Sequence, residues 1–210
     1  MTRGSTLLAI GISYVINPLI LPPLLFAIVL NWTGATPAEV RRAASVVFVL
    51  MTALPLAALF WMIKSGRAAT VHAVGRRERN GLFGLGLGCA VLAVIGVRVL
   101  IPSSSNIVLA VGACVLAVAA LLTLLNRWLK VSIHTAAITG FVTILVVLPA
   151  ILPDPTHEMS GMWLVPLIPV VMWARLRTRS HSTSEVLAGG LVGVVGPVVI
   201  LMILSVLGTI

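Results

Sequence analysis

Seven stretches of the chain are apolar on every face, with neither the alternation of a half-buried strand nor the single stripe of a soluble helix. They run Leu7 to Trp32, Ala43 to Ile63, Leu82 to Ile101, Ile107 to Leu125, Ala136 to Leu152, Met162 to Trp173 and Val186 to Thr209. Most approach the roughly 20 residues that cross a bilayer as helix. The pattern predicts an all-α, polytopic transmembrane helix bundle of about seven spans, with six possible. The first run contains Asn17-Pro18 and Pro22-Pro23, which predicts a kink or two half-helices. The sixth is short and holds Pro166 and Pro169, so it spans only if Met159 to Gly161 and Ala174 extend it. Gly84, Gly86 and Gly88, and later Gly189, Gly193 and Pro197, are spaced as close-packing positions between helices. No repeat, linker or soluble segment interrupts the series, so residues 1–210 read as one membrane domain. The first run is too long for a signal-peptide core and is expected to be a span.

Composition agrees with this pattern. Apolar residues make up 60% of the chain and charged ones 9%, and the mean hydropathy of +1.17 excludes a soluble domain. Cys89 and Cys114 both lie inside apolar runs, as small core residues do. The 14 basic side chains against 5 acidic ones carry the topological information. If all seven runs cross, one side holds Arg3, Lys64, Arg67, Arg76, Arg77, Arg79, Arg127, Lys130, Arg175, Arg177 and Arg179, and the other only Arg41, Arg42 and Arg98. An excess of eleven to three marks the rich side as cytoplasmic, as in a bacterial-type cytoplasmic membrane. His72, His134 and His181 fall on that side and His157 on the other.

Three polar clusters share the basic side. The segment Ala174-Arg175-Leu176-Arg177-Thr178-Arg179-Ser180-His181-Ser182-Thr183-Ser184-Glu185 stands directly before the last run. Guanidinium groups hold an anion, an imidazole attacks phosphorus, and a carboxylate four residues on orients that imidazole. Ser182 to Glu185 also fits a capping box, and a carboxylate is not expected to cap and to orient His181 at the same moment. In Trp128-Leu129-Lys130-Val131-Ser132-Ile133-His134-Thr135, a hydroxyl and an imidazole stand at a helix start, where backbone N–H groups favour anions. Interfacial anchoring by Trp128 and Lys130 and simple capping by Ser132 explain the same residues. His72-Ala73-Val74-Gly75-Arg76-Arg77-Glu78-Arg79-Asn80 reads on composition as a basic cytoplasmic loop.

Together the clusters resemble the signature of the type 2 phosphatidic acid phosphatase superfamily, which includes glucose-6-phosphatase and the vanadium haloperoxidases. Its third motif, Ser-Arg, five residues, His, three residues, Asp, is matched in spacing by Arg175, His181 and Glu185, with Ala174 for Ser and Glu for Asp. The second, Pro-Ser-Gly-His, survives as Val131-Ser132-Ile133-His134. The first, Lys, six residues, Arg-Pro, is reduced to His72 and Arg79-Asn80. The resemblance covers about residues 72–193. An even number of spans separates the clusters, which brings all three to one face.

The resemblance implies a metal-free, cofactor-free membrane phosphatase or diphosphatase acting on a polyprenyl (di)phosphate or a phosphatidate-type lipid through a phosphohistidine. In it His181 is the nucleophile, His134 the acid and base, and Glu185 the orienting carboxylate. Arg175, Arg79, Ser132 and His72 bind the phosphate. The expected partners are lipid phosphate and membrane lipids, not nucleic acid. Two other readings stay open. One is a weak or inactive relative serving as a lipid-binding or structural subunit, which the eroded first and second motifs favour. The other is a transporter, suggested by the broken first run. Magnesium-dependent lipid transferases need clustered carboxylates, and Glu39, Glu78, Asp154, Glu158 and Glu185 do not cluster on the basic side.

Overall fold

The computed structural model describes residues 3–67, 76–101, 106–151 and 161–210. Within them the chain is all-α, with eight helices: α1 Arg3–Val15, α2 Leu21–Trp32, α3 Pro37–Lys64, α4 Arg76–Leu100, α5 Asn106–Leu125, α6 Ile133–Ile151, α7 Leu167–Arg177 and α8 Thr183–Val206. Five of these, α3, α4, α5, α6 and α8, are long and apolar enough to cross a membrane. Their outer faces confirm the solvent they are built for. On α8 the side chains of Leu187, Leu191, Val194, Val199, Met202 and Val206 are exposed, while Val186, Gly189, Gly193 and Leu201 are buried. A helix apolar on its exposed face as well as its buried one is at rest only in lipid. This is the build of an integral membrane protein.

The prolines act where the sequence places them. The first run is split into α1 and α2 at residues 16–20, where the Asn17 side chain accepts from the Leu19 N–H at 3.0 Å. Pro23 has no N–H to give the Leu19 carbonyl. The Thr52 hydroxyl from α3 donates to it instead. Thr52 lies in a π-turn, Val49–Ala53, just ahead of Pro55. There the Leu54 N–H donates to the carbonyl of Val49, five residues back, because a proline so close disturbs the four-residue register. The sixth apolar run forms only a short 3-10 turn, Met162–Leu164, and the 11-residue α7. Two prolines in twelve residues leave too few amide donors for a longer regular helix there.

The packing centre is the pair α6 and α8, which run parallel and in register. A Cβ on Gly189 would lie 2.5 Å from the Ser132 carbonyl oxygen, and one on Gly193 would lie 2.5 Å from that of Ala136 and 2.7 Å from the Gly140 nitrogen. The two backbones thus meet where only glycine fits. α5 runs antiparallel beside α8, with the Cys114 thiol 3.8 Å from the Pro197 carbonyl. α4 packs antiparallel to α5 and to α3, with Val94 against Gly112 and Val46 against Gly96. The glycines of α8 therefore close-pack as their spacing suggests. Gly84, Gly86 and Gly88 of α4 do not: beyond the adjoining backbone of α4 itself, no described atom lies within 4 Å of a Cβ built on any of them. Small-residue spacing marks a face that permits close approach, not one that has found a partner.

Candidate functional site: an imidazole between two helix starts

Because α6 and α8 run parallel and in direct contact, the turns that precede them, α5–α6 and α7–α8, come together at one end of the bundle. The Ser132 N–H donates to the Glu185 carbonyl at 3.1 Å, tying the start of α6 to that of α8. Ser132 is fully buried and caps α6: its hydroxyl oxygen accepts from the Thr135 N–H at 3.4 Å and the Thr135 hydroxyl at 3.0 Å. The α1 start joins the same end, where the Arg177 guanidinium donates to the Ser5 hydroxyl through Nε at 3.0 Å and also through Nη2.

The turn after α7 is what aims His181. Ser180 N–H donates to the Arg175 carbonyl and Arg179 N–H to that of Leu176, the paired pattern that ends helices with a left-handed residue between. Glycine normally takes that position. Here it is Arg179, at φ 52, at a cost of about 1–2 kcal/mol. The reversed chain delivers His181 over the Lys130 segment.

His181 Nδ1 faces two oxygens, the Lys130 carbonyl at 3.1 Å and Glu185 Oε2 at 3.1 Å. A carbonyl only accepts, and an ionised carboxylate only accepts, so Nδ1 carries the hydrogen. The lone pair of the neutral ring is then on Nε2. Glu185 Oε2 also accepts the Ser182 N–H at 3.1 Å, and the Ser182 hydroxyl accepts the Glu185 N–H at 3.4 Å. Capping and orientation, expected from the sequence to exclude each other, are performed together by one carboxylate oxygen. Two lone pairs on a single oxygen make that possible.

The surroundings favour the neutral ring. Burial, then the positive charge of Arg175, pushes the His181 pKa below its ordinary value; Glu185 opposes this, and Lys130 adds a further depression. Arg175 is 6% exposed, and its buried Nε has no hydrogen-bond partner among the described residues. Desolvating a guanidinium donor without satisfying it is costly unless an acceptor arrives. The Lys130 ammonium, by contrast, is exposed and makes a long 3.4 Å contact to the Ser180 carbonyl. His134 stands half-buried in the first turn of α6, two residues beyond Ser132.

Arg79 reaches the same end of the bundle but is engaged differently. Its Nε donates to Asn126 Oδ1 at 2.8 Å, and Asn126 Nδ2 donates to Asn80 Oδ1 at 2.8 Å. Asn126, 1% exposed, thereby joins the α4 start to the α5 end. In the sequence it is only an amide closing an apolar run, with no residue-type signal that points to its partners. His72 lies outside the described residues, as do Asp154, His157 and Glu158. Among the described residues, no group of three or more His, Cys, Asp and Glu side chains is placed to hold a metal ion.

Comparison of the chain with protein-family models, with curated proteins and with solved structures finds no match.

Proposed function

We propose that the chain is a seven-crossing membrane protein that binds a lipid phosphate at its basic, cytoplasmic end and hydrolyses it through a phosphohistidine. The observation that carries this reading is the position of His181. Its Nδ1–H is held by Glu185 and by the Lys130 carbonyl, so Nε2 carries the lone pair, and the ring lies within the field of Arg175, a buried guanidinium whose Nε donor is unfilled among the described residues. An imidazole of fixed tautomer, favoured in its neutral form near cations, is the arrangement that attacks an anionic phosphorus centre.

In this scheme Nε2 bonds to phosphorus as the phosphorus–oxygen bond to the lipid breaks. The electron pair leaves on the lipid oxygen, and His134 supplies its proton. The charge gained by the imidazole is matched by Glu185, while Arg175 binds the equatorial oxygens that carry the spreading negative charge. Water then attacks phosphorus, gives its proton to His134, and the nitrogen–phosphorus pair returns to Nε2. Ser132 serves this chemistry through the helix start that it caps, and Arg79 through the Asn126 network rather than by direct contact with His181.

A second reading, binding of the lipid phosphate without turnover, draws support from that same contact of Arg79, whose Nε is engaged by Asn126 and not by a group of the His181 segment. One experiment decides between them. Purified protein in detergent is offered farnesyl diphosphate and phosphatidate, released phosphate is measured, and the protein is tested for an acid-labile, base-stable phosphoryl group. Release that is lost in His181→Ala is expected. No release from either lipid, or release undiminished by His181→Ala, rejects the catalytic reading.

A further inference from the structure

Lys130 meets the Ser180–His181 segment at two points, its carbonyl at the ring nitrogen of His181 and its ammonium at the Ser180 carbonyl. The two cations whose charge acts on His181 therefore stand at different depths. Arg175 is buried and Lys130 is exposed at the rim. The Arg175 Nε has a donor with no acceptor. The ammonium has three donors and spends one on a long contact to a neutral oxygen. A ligand that satisfied both would carry one anionic group deep beside His181 and a second nearer the surface.

We propose that Lys130 binds a second phosphate of the ligand, so that the site takes lipid diphosphates in preference to lipid monophosphates. The inference rests on the anion-binding reading of the site given above, and it is separable from turnover. A single phosphate held by Arg175 leaves the ammonium on Ser180. A diphosphate moves it outward by a side-chain rotation, exchanging a weak neutral contact for a charge-assisted one. The chemistry points the same way. When Nε2 bonds to the terminal phosphorus, the bridging phosphorus–oxygen bond breaks and its electron pair stays on the bridging oxygen. That oxygen becomes a terminal oxygen of the departing lipid monophosphate and takes the His134 proton, and the negative charge that remains on the departing phosphate is stabilised by a cation. Lys130 is the cation on the outward side, where this group departs.

The test measures binding, with turnover removed by His181→Ala. Affinities for farnesyl diphosphate and farnesyl monophosphate are compared in detergent, with and without Lys130→Gln. The diphosphate is expected to be preferred, and Lys130→Gln to cut that preference about tenfold, the value of a hydrogen bond to a charged group. Lys130→Arg, which keeps the charge, should retain most of the preference and controls for misfolding. Equal affinities for the two ligands, an unchanged ratio in Lys130→Gln, or no binding of either overturns the proposal. Phosphate release from wild type without a diphosphate preference would sink this inference and leave the catalytic reading standing. A diphosphate preference without phosphate release would do the reverse.

Discussion

Glu185 Oε2 lies 3.1 Å from His181 Nδ1 and 3.1 Å from the Ser182 N–H, so one oxygen fixes both the first turn of α8 and the tautomer of the imidazole before it. Its two duties separate on substitution. Glu185→Gln can still accept the Ser182 N–H but offers no negative charge to an imidazole becoming cationic. Turnover is expected to fall roughly 100-fold or more with little change in thermal stability. Ser182→Ala, in contrast, should cost about 1 kcal/mol of stability and change turnover only a few-fold. The comparison needs unfolding curves and initial rates on the same preparations. Equal loss of stability in both variants would assign Glu185 to capping alone.

The pH profile follows from the charges around His181. Its pKa is depressed below 6.5 by burial, Arg175 and Lys130, and the attacking form is the neutral ring. The acid limb of kcat/KM should therefore lie below the ordinary histidine range, with activity lost only as pH falls through that lowered value. Removing a partner moves the limb in a signed way. Lys130→Gln takes away a cation that disfavours protonation and should move the limb to higher pH. Glu185→Gln takes away an anion that favours it and should move the limb lower. A limb unmoved by both substitutions would mean that a different group titrates.

How far this site was readable from the sequence depends on the kind of contact. The His181 to Glu185 pair was legible because a four-residue spacing at a helix start brings side chains together. The Lys130 carbonyl was not, because a backbone oxygen 51 residues away carries no residue-type signal. Asn126 was missed for a related reason: its partners, Arg79 and Asn80, are 47 and 46 residues distant. The split of the first run was foreseen from its prolines, which act locally. The glycines of α4 misled, since their spacing says nothing about which neighbour arrives, whereas those of α8 meet α6.

That difference between the glycines is itself measurable. Gly189→Ala and Gly193→Ala each place a methyl 2.5 Å from a backbone oxygen of the α6 segment, and neither backbone can retreat without disturbing the other. Each should destabilise the protein by about 1–3 kcal/mol. Because Gly189 abuts Ser132, its substitution should also misplace the start of α6 and depress activity. Gly84→Ala meets nothing within 4 Å beyond the adjoining backbone of α4 and, by removing a mid-helix glycine, should be neutral or stabilising by up to about 1 kcal/mol. Reversible unfolding in mixed detergent reads all three. Comparable losses at Gly84 and Gly193 would contradict the packing of α6 on α8.

Phosphate release, if it proceeds through His181 and Arg175, is expected to persist in excess chelator and to be inhibited by vanadate. The proposed electrophilic groups are guanidinium and ammonium, and a pentacoordinate oxyanion is complementary to them. Activity abolished by EDTA and restored by magnesium would reject the phosphohistidine route.

The proposed cytoplasmic placement of this end is testable without any substrate. Arg79, Lys130, Arg175 and Arg177 all belong to turns or helix ends tied together by the Asn126, Ser180, Glu185 and Ser5 contacts, while Arg41 and Arg42 lie in the first half of α3 and Arg98 in the last turn of α4. Setting aside Arg79 and Arg175 as ligand-binding groups still leaves nine cations against three, so the bias toward the inside is independent of the chemistry proposed. Single cysteines at Ser65, just beyond α3, and at Thr156, between α6 and α7, are introduced in a chain lacking Cys89 and Cys114. In intact cells a membrane-impermeant thiol reagent should label Thr156→Cys and spare Ser65→Cys, with both labelled after permeabilisation. That outcome confines the substrate to lipid phosphates presented on the inner leaflet. Labelling of Ser65→Cys alone would invert the protein and put His181 at the outer surface, where a carrier lipid released after export would become the available ligand.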